Sequence, residues 1–228
     1  MLVNNIKIND NKIILITGES GTGKTNFCNI LSKSRKSYMI GCATNFFEKR
    51  TVKEELSFIF KYKNNSKNKK YDKIYEAFKM VGLDRSILNR DIFDLSSSEK
   101  IRILLCKLLL KNKDVIIIDD IFDLLDDKTR ERIFKILLKL KKYYNKTIIL
   151  STSNIDLVYD YVDEIMYIKD GKMYKYDDKI NIYKNKDENI RIKPFLISIV
   201  DKMKKKYPNM SYKDSINELI KELYREIR

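Results

Sequence analysis

An α/β fold with a mostly parallel sheet is the class this sequence predicts, and three observations carry it. Short apolar runs of strand length alternate with longer stretches of helical spacing. A glycine-rich loop, Gly18 to Thr25, joins the first such run to the first helical stretch. A hairpin with an Asp-Gly turn follows the last alternation. At 228 residues the chain is long for one domain and short for two, and it can bury a sizeable core.

The elements follow in order. Ile13 to Ile16 is an apolar run suited to a buried strand, and Asn26 to Ser32 continues with helical spacing. Lys61 to Lys73 is polar and basic, an exposed loop or helix edge. Ile74 to Val81 is an amphipathic helix and Ile101 to Leu110 a strongly apolar one. Val115 to Ile118 is a buried strand, and Arg130 to Leu140 a helix with apolar residues at i, i+3, i+4 and i+7. Thr147 to Leu150 is another strand. Glu164 to Ile168 and Lys172 to Tyr176 form the hairpin around Asp170-Gly171. The only prolines, Pro194 and Pro208, lie in the tail, where Phe195 to Lys206 and Tyr212 to Ile227 read as two helices.

Composition narrows the class further. No apolar run approaches the roughly 18 residues of a membrane span, and the N-terminus has no signal-peptide pattern. A soluble or peripheral, cytosolic protein is expected. Cys28, Cys42 and Cys106 sit among apolar neighbours and fit reduced core residues, not a disulfide or metal framework. The net charge of +15 would favour acidic lipid headgroups or nucleic acid. Solvated lysine faces in a chain rich in Lys, Asn, Ile and Tyr account for it as well. No RNP, zinc-finger or helix-turn-helix signature is present, so no nucleic-acid partner is expected. His, Trp and Gln are absent altogether.

Gly18-Glu19-Ser20-Gly21-Thr22-Gly23-Lys24-Thr25 reads G-x-x-x-x-G-K-[ST], a phosphate-binding loop in the required strand–loop–helix context. Glycines let the backbone turn tightly and aim N–H groups at phosphate oxygens, aided by the dipole of the following helix. Lys24 would reach the β- and γ-phosphates of a nucleoside triphosphate, and the Thr25 hydroxyl would ligate Mg²⁺. Such a loop needs a carboxylate at the end of a neighbouring strand. Val115 to Ile118 ends in two acids, Asp119 to hold the metal and Asp120 to polarise the attacking water.

Between these motifs stands Leu95-Ser96-Ser97-Ser98-Glu99, and with it the chain resembles the ATP-binding cassette (ABC) ATPases. This segment stands where the family's LSGGQ signature stands, Ile118-Asp119-Asp120-Ile121 where its L-D-E-P stands, and Leu124-Leu125-Asp126-Asp127 where its D-loop stands. Thr147 to Ser153 is similar to the strand that leads into the family's switch histidine, with Ser153 at that position. Thr51 to Phe58 resembles the T-V-E-E-E-[VI]-A-F segment of the cobalt and vitamin importer ATPases of the energy-coupling-factor type. Val81-Gly82-Leu83 and Lys193-Pro194-Phe195 resemble further segments of that type. The resemblance implies an ABC-type domain over residues 1–184, with a helical insertion at about 46–110, and a C-terminal helical extension over 185–228. It also implies a mostly parallel sheet, an antiparallel β subdomain, and ATP with Mg²⁺ as cofactors. Ser96 and Ser98 would cap the ATP of a second ABC subunit, and an integral membrane subunit would receive the closing motion on the inner face of the cell membrane.

The chain departs from that pattern at the reacting centre. The Q-loop Gln, the Glu after the strand acid and the switch His are replaced, with Asn45 the nearest amide, Asp120 in place of Glu and Ser153 in place of His. Asp120 sits one methylene back from a water contact that must fall within about 3.2 Å. The signature has lost both glycines, and no aromatic residue precedes the loop. The expectation is an importer ATPase whose partner subunit is not identical to it. The alternative is a regulatory chain that binds ATP and scarcely turns it over.

Overall fold

Runs that are apolar throughout become strands buried on both faces. In the computed structural model, which describes residues 2–3, 6–41, 47–60, 67–176, 178–180, 194–213 and 216–226, these are β3 (Ile13–Thr17), β5 (Val115–Asp119), β6 (Thr147–Ser151) and β7 (Glu164–Lys169). Together with β4 (Ser37–Gly41) and β8 (Lys172–Tyr176) they form a six-stranded sheet of order β4-β5-β6-β3-β7-β8. The first five strands are parallel, and β8 turns back antiparallel on β7. β1 (Leu2–Val3) and β2 (Ile6–Lys7) pair antiparallel in a separate two-stranded sheet. The predicted α/β class with an antiparallel component is the one observed.

Successive residues on a strand face opposite sides, so each strand feeds two cores. Ile14, Ile16, Ile117, Ile149 and Met166 meet Phe27, Cys28 and Leu31 of α1 (Lys24–Ser32). Ile13, Leu15, Ile116, Ile118, Ile148 and Leu150 face the larger core. That core is completed by α2 (Val52–Phe58), α3 (Lys67–Val81), α4 (Ser97–Lys111) and α5 (Asp127–Tyr144). The C-terminal helices α6 (Phe195–Met203) and α7 (Ile216–Glu226) join it through Leu196, Ile197, Val200 and Leu219.

Helix ends follow local chemistry. α2 and α4 each begin in a capping box, Thr51 with Glu54 and Ser96 with Glu99. α5 starts on Asp126, whose carboxylate accepts from the Thr129 N–H at 2.8 Å. α4 and α5 both stop at an asparagine in the left-handed region, Asn112 (φ 48°) and Asn145 (φ 51°).

Several boundaries differ from expectation. β4 has no counterpart in the sequence reading. α3 starts at Lys67, inside the basic stretch read as loop or helix edge. α6 ends at Met203 where Lys206 was expected, and α7 begins at Ile216 where Tyr212 was expected. Tyr212 is held outside the helix, its hydroxyl 2.6 Å from Asp201 Oδ1. Cys42, Asn45, Phe46, Lys193 and the expected domain boundary at 184/185 lie outside the described residues.

Candidate functional site

Parallel strands end together, and the C-terminal ends of β3, β5 and β6 meet at one edge of the sheet. The loop Gly18 to Thr25 leaves β3 there and feeds straight into α1, which begins at Lys24. Gly18 takes φ 152°, and a Cβ on it would lie 2.4 Å from the Ile168 carbonyl oxygen of β7, so only glycine fits. Glu19, Ser20 and Gly21 are exposed at the tip, and the Thr22 hydroxyl donates to the Glu19 carbonyl at 2.9 Å.

Lys24 is buried, 8% exposed, and its ammonium donates to the carbonyls of Gly18 (3.0 Å) and Glu19 (2.9 Å). The loop is wrapped around this cation. Burial lowers the Lys24 pKa, while the nearby carboxylates of Asp120 and Asp119 oppose that shift. Thr25 follows directly on the first turn of α1.

Asp119 ends β5, in register with Gly41 of β4 and Ser151 of β6. It is 2% exposed, and its Oδ1 is buried with no hydrogen-bond partner. A buried carboxylate oxygen without a partner is costly, and a hard cation is the group that would satisfy it. The residues fit Mg²⁺ carried in on a triphosphate, which uses one or two protein oxygens and takes the rest of its shell from phosphates and water. Among the described residues there is no cluster of three or more His, Cys, Asp or Glu that could hold a metal unaided. Gly41 is the reason β4 approaches so closely, because a Cβ there would lie 2.8 Å from the Asp119 Cβ and carbonyl oxygen.

Asp120 leaves the strand in the left-handed region (φ 54°), its N–H donating to the Ser151 carbonyl at 2.8 Å. The side chain of Thr152 beside it favours the charged carboxylate. Burial raises the Asp120 pKa, and Asp119 and Asp123 add to the rise against the pull of Lys24. Thr152 is fully buried, and its hydroxyl accepts the Asn154 N–H at 3.0 Å. The Asn154 amide donates to Asp123 Oδ1 at 3.0 Å. Ser153 lies between them, half-buried on the same segment.

The structure therefore gathers Gly18 to Thr25, Asp119, Asp120 and the Thr152–Asn154 segment at one sheet edge. Ser96 and Ser98 are placed elsewhere, at the N-terminus of α4, which packs on α2, α3 and β4. Ser96 exchanges hydrogen bonds with Glu99, whose carboxylate also accepts from Arg90, and Ser98 Oγ accepts from Arg102 at 2.9 Å. Gly41 and Asn154 were not singled out by the sequence, and Thr152 only as part of the Thr147 to Ser153 segment. The polar run Thr152-Ser153-Asn154 directly after a buried strand was the available signal for two of them.

This architecture is shared with known proteins. The chain is 24% identical over 235 residues to the energy-coupling factor transporter ATP-binding protein EcfA2 of Acetivibrio thermocellus, covering 91% of this chain and 84% of that one. It is 26% identical over 236 residues to the protein of the same name from Mycoplasma capricolum subsp. capricolum, covering 98% and 82%. Among solved structures it resembles cbiO1 from Clostridium perfringens, part of the ABC transporter complex cbiONQ (TM-score 0.67, 20% identity, 89% of this chain and 87% of that one). It also resembles the dimeric bacterial ABC transporter cassette MJ0796 (TM-score 0.65, 24% identity, 75% and 88%), which has been solved bound to ADP and Pi as well. The sequence profile of the ABC transporter family matches residues 3–123, just over half of the chain, and the chain belongs to that family.

Proposed function

We propose that this chain is the ATP-binding subunit of an energy-coupling-factor-type membrane importer, coupling ATP binding and hydrolysis to transport. The observation that carries the reading is the Lys24 ammonium, enclosed by loop carbonyls beside two strand-end carboxylates. A phosphate chain entering the loop would replace the carbonyls as the partner of that cation. The names of the relatives support the importer class. In this reading Asp119 and Thr25 hold Mg²⁺, Asp120 orients the attacking water, and Ser153 lies beside the γ-phosphate.

The partner is a second ABC subunit. Ser97 and Ser98 put side chains where the family pattern has glycines, and two copies of this chain would make two weakened sites, so the partner is non-identical. No helix among the described residues is long and apolar enough to cross a membrane. Attachment to the inner face of the membrane would come through an integral membrane subunit, contacted by the insertion that includes α2. The absence of His and Gln from the whole chain favours one second reading, an ATP-gated clamp with little hydrolysis.

Calorimetry tests the core of the proposal. Wild-type protein is expected to bind MgATP, and Lys24→Ala to bind it on the order of ten- to a hundredfold more weakly, the worth of a charged hydrogen-bonding group. Equal affinity in the two proteins would remove the loop from the site. Asp119→Asn is expected to shrink the gain in ATP affinity on adding Mg²⁺ by about tenfold. A titration with and without EDTA reads this directly, and an unchanged Mg²⁺ effect would take Asp119 out of the metal role. Co-purification from detergent-solubilised membranes tests the assembly. A polytopic protein and a second ATPase are expected, and recovery of the chain alone would move the reading to the clamp.

A further inference from the structure

Three helices stop at the edge of the sheet opposite the phosphate-binding loop. α1, α4 and α5 each lead, within a few residues, into the start of a parallel strand, β4, β5 and β6 in turn. The Val115 N–H donates to the Lys36 carbonyl (3.0 Å), the Thr147 N–H to the Asp114 carbonyl (3.0 Å) and the Ile148 N–H to the Lys12 carbonyl (2.9 Å). The three connections and the start of β3 therefore lie side by side, on a face roughly 15 Å wide at the usual strand spacing. Gly18 and Asp119 are at the other end of these strands, about 17 Å away.

The connections are basic. The first carries Lys33, Arg35 and Lys36. The second follows Lys111 and carries Lys113, and the third follows Lys141 and Lys142 and carries Lys146. Of the acids at this edge, Asp114 is paired with Lys146 (3.6 Å) and Asp163 with Lys141 (2.7 Å), Glu164 is buried, and Asp10 is exposed. Lys33, Arg35, Lys36 and Lys142 are exposed and have no carboxylate partner among the described residues. Helix dipoles draw cations to the last turn, which accounts for Lys142. Arg35 and Lys36 stand beyond α1, at the mouth of β4.

Apolar surface adjoins this charge. α5 ends in Tyr143 and Tyr144, 67% and 65% exposed, with the Lys142 ammonium over the Tyr143 ring. Tyr144 also rims a groove of about 310 Å³ whose walls include Phe60, Met80, Leu110 and Leu140.

We infer that this edge is a contact surface for the anionic headgroups of a lipid bilayer. Lysine stems lie along apolar surface while their ammonium groups reach phosphate, and tyrosine rings settle at headgroup depth. Nucleic-acid recognition favours guanidinium forks, and Arg35 is the one arginine in these connections. The inference does not rest on the nucleotide-binding reading. It gives the chain a hold on the membrane besides the one through an integral subunit.

Co-sedimentation of the full chain with vesicles tests it. Binding is expected to vesicles of phosphatidylcholine and phosphatidylglycerol in equal parts and not to phosphatidylcholine alone, and it should weaken with added salt. The variant Arg35→Gln, Lys36→Gln, Lys142→Gln is expected to bind the anionic vesicles on the order of a hundredfold more weakly, at about fivefold per cation. An unchanged circular dichroism spectrum and urea midpoint certify that it is folded. A second variant, Lys128→Gln, Lys169→Gln, Lys172→Gln, removes the same charge at the opposite ends of α5 and the sheet, and is expected to bind nearly as the wild type does. Equal losses in the two variants would reduce the binding to net charge and overturn the inference. So would a wild-type chain that stays in solution with anionic vesicles or sediments equally with neutral ones. Release of the wild type from anionic vesicles by duplex DNA at matched phosphate concentration would assign the edge to nucleic acid instead.

Discussion

Glu55→Ala is expected to destabilise the fold by about 3–5 kcal/mol, the cost of removing one member of a buried ion pair. Glu55 of α2 is 3% exposed and is ion-paired with Lys107 of α4, which is 7% exposed. Its other oxygen accepts the N–H groups of Glu48 (2.8 Å) and Lys49 (2.9 Å). One carboxylate thus ties α2 and α4 to the segment that enters the helical insertion. Its loss takes the carboxylate from a buried ammonium and from two part-buried backbone donors. A domain of this size has about 5–15 kcal/mol of stability in all, so the variant should unfold at much lower urea concentration. The pair Glu55→Leu with Lys107→Met removes both charges and is expected to recover part of the loss. Full recovery is not expected, because the Glu48 and Lys49 N–H groups lose their carboxylate acceptor. Urea unfolding followed by circular dichroism measures each variant. A Glu55→Ala protein within 1 kcal/mol of wild type would show that the junction contributes nothing net.

Glu55 and Lys107 are 52 positions apart, and neither residue type marks itself as buried. In the sequence Glu55 reads as one of several acids at a helix start, which is why the junction was not legible there. What was legible is local. Ile13 to Ile16 followed by three glycines and a lysine, Val115 to Ile118 followed by two acids, and the Asp170-Gly171 turn each carry their structure within about ten residues. β4 was missed for the opposite reason. It is an edge strand in which Tyr38 and Met39 are half-buried, so Ser37–Gly41 has neither a continuous apolar run nor clean alternation. Thr152 gains its meaning from sheet register. Asp119 lies opposite Ser151, and that pairing sets the next residue on each strand, Asp120 and Thr152, side by side. Ser153 was the sequence candidate on this segment, and the residue before it, Thr152, is the one that register sets beside Asp120.

Asp120→Asn is expected to lower ATP turnover about 10²- to 10⁴-fold while leaving MgATP affinity within a few-fold of wild type. The substitution isolates charge, because asparagine has the size of aspartate and is among the few residues that accept a left-handed backbone. The φ of 54°, the N–H bond to Ser151 and the contact with Thr152 can all persist. What disappears is the carboxylate able to take a proton from water. Asp120→Glu moves in the other direction. It restores the missing methylene and brings the carboxylate closer to a water in line with the γ-phosphate, but glutamate tolerates the left-handed conformation less well. A gain in turnover from that variant would show that reach, not backbone strain, limits this site. Phosphate release at saturating MgATP, measured on the complex with its partner ATPase, is the assay. To exclude the partner's own site, the partner is used with its catalytic carboxylate neutralised. Wild-type turnover in Asp120→Asn under those conditions would assign hydrolysis elsewhere and leave this chain as the clamp. A large loss at unchanged affinity would identify Asp120 as the base, acting from a strand end that its own N–H pins to the Ser151 carbonyl.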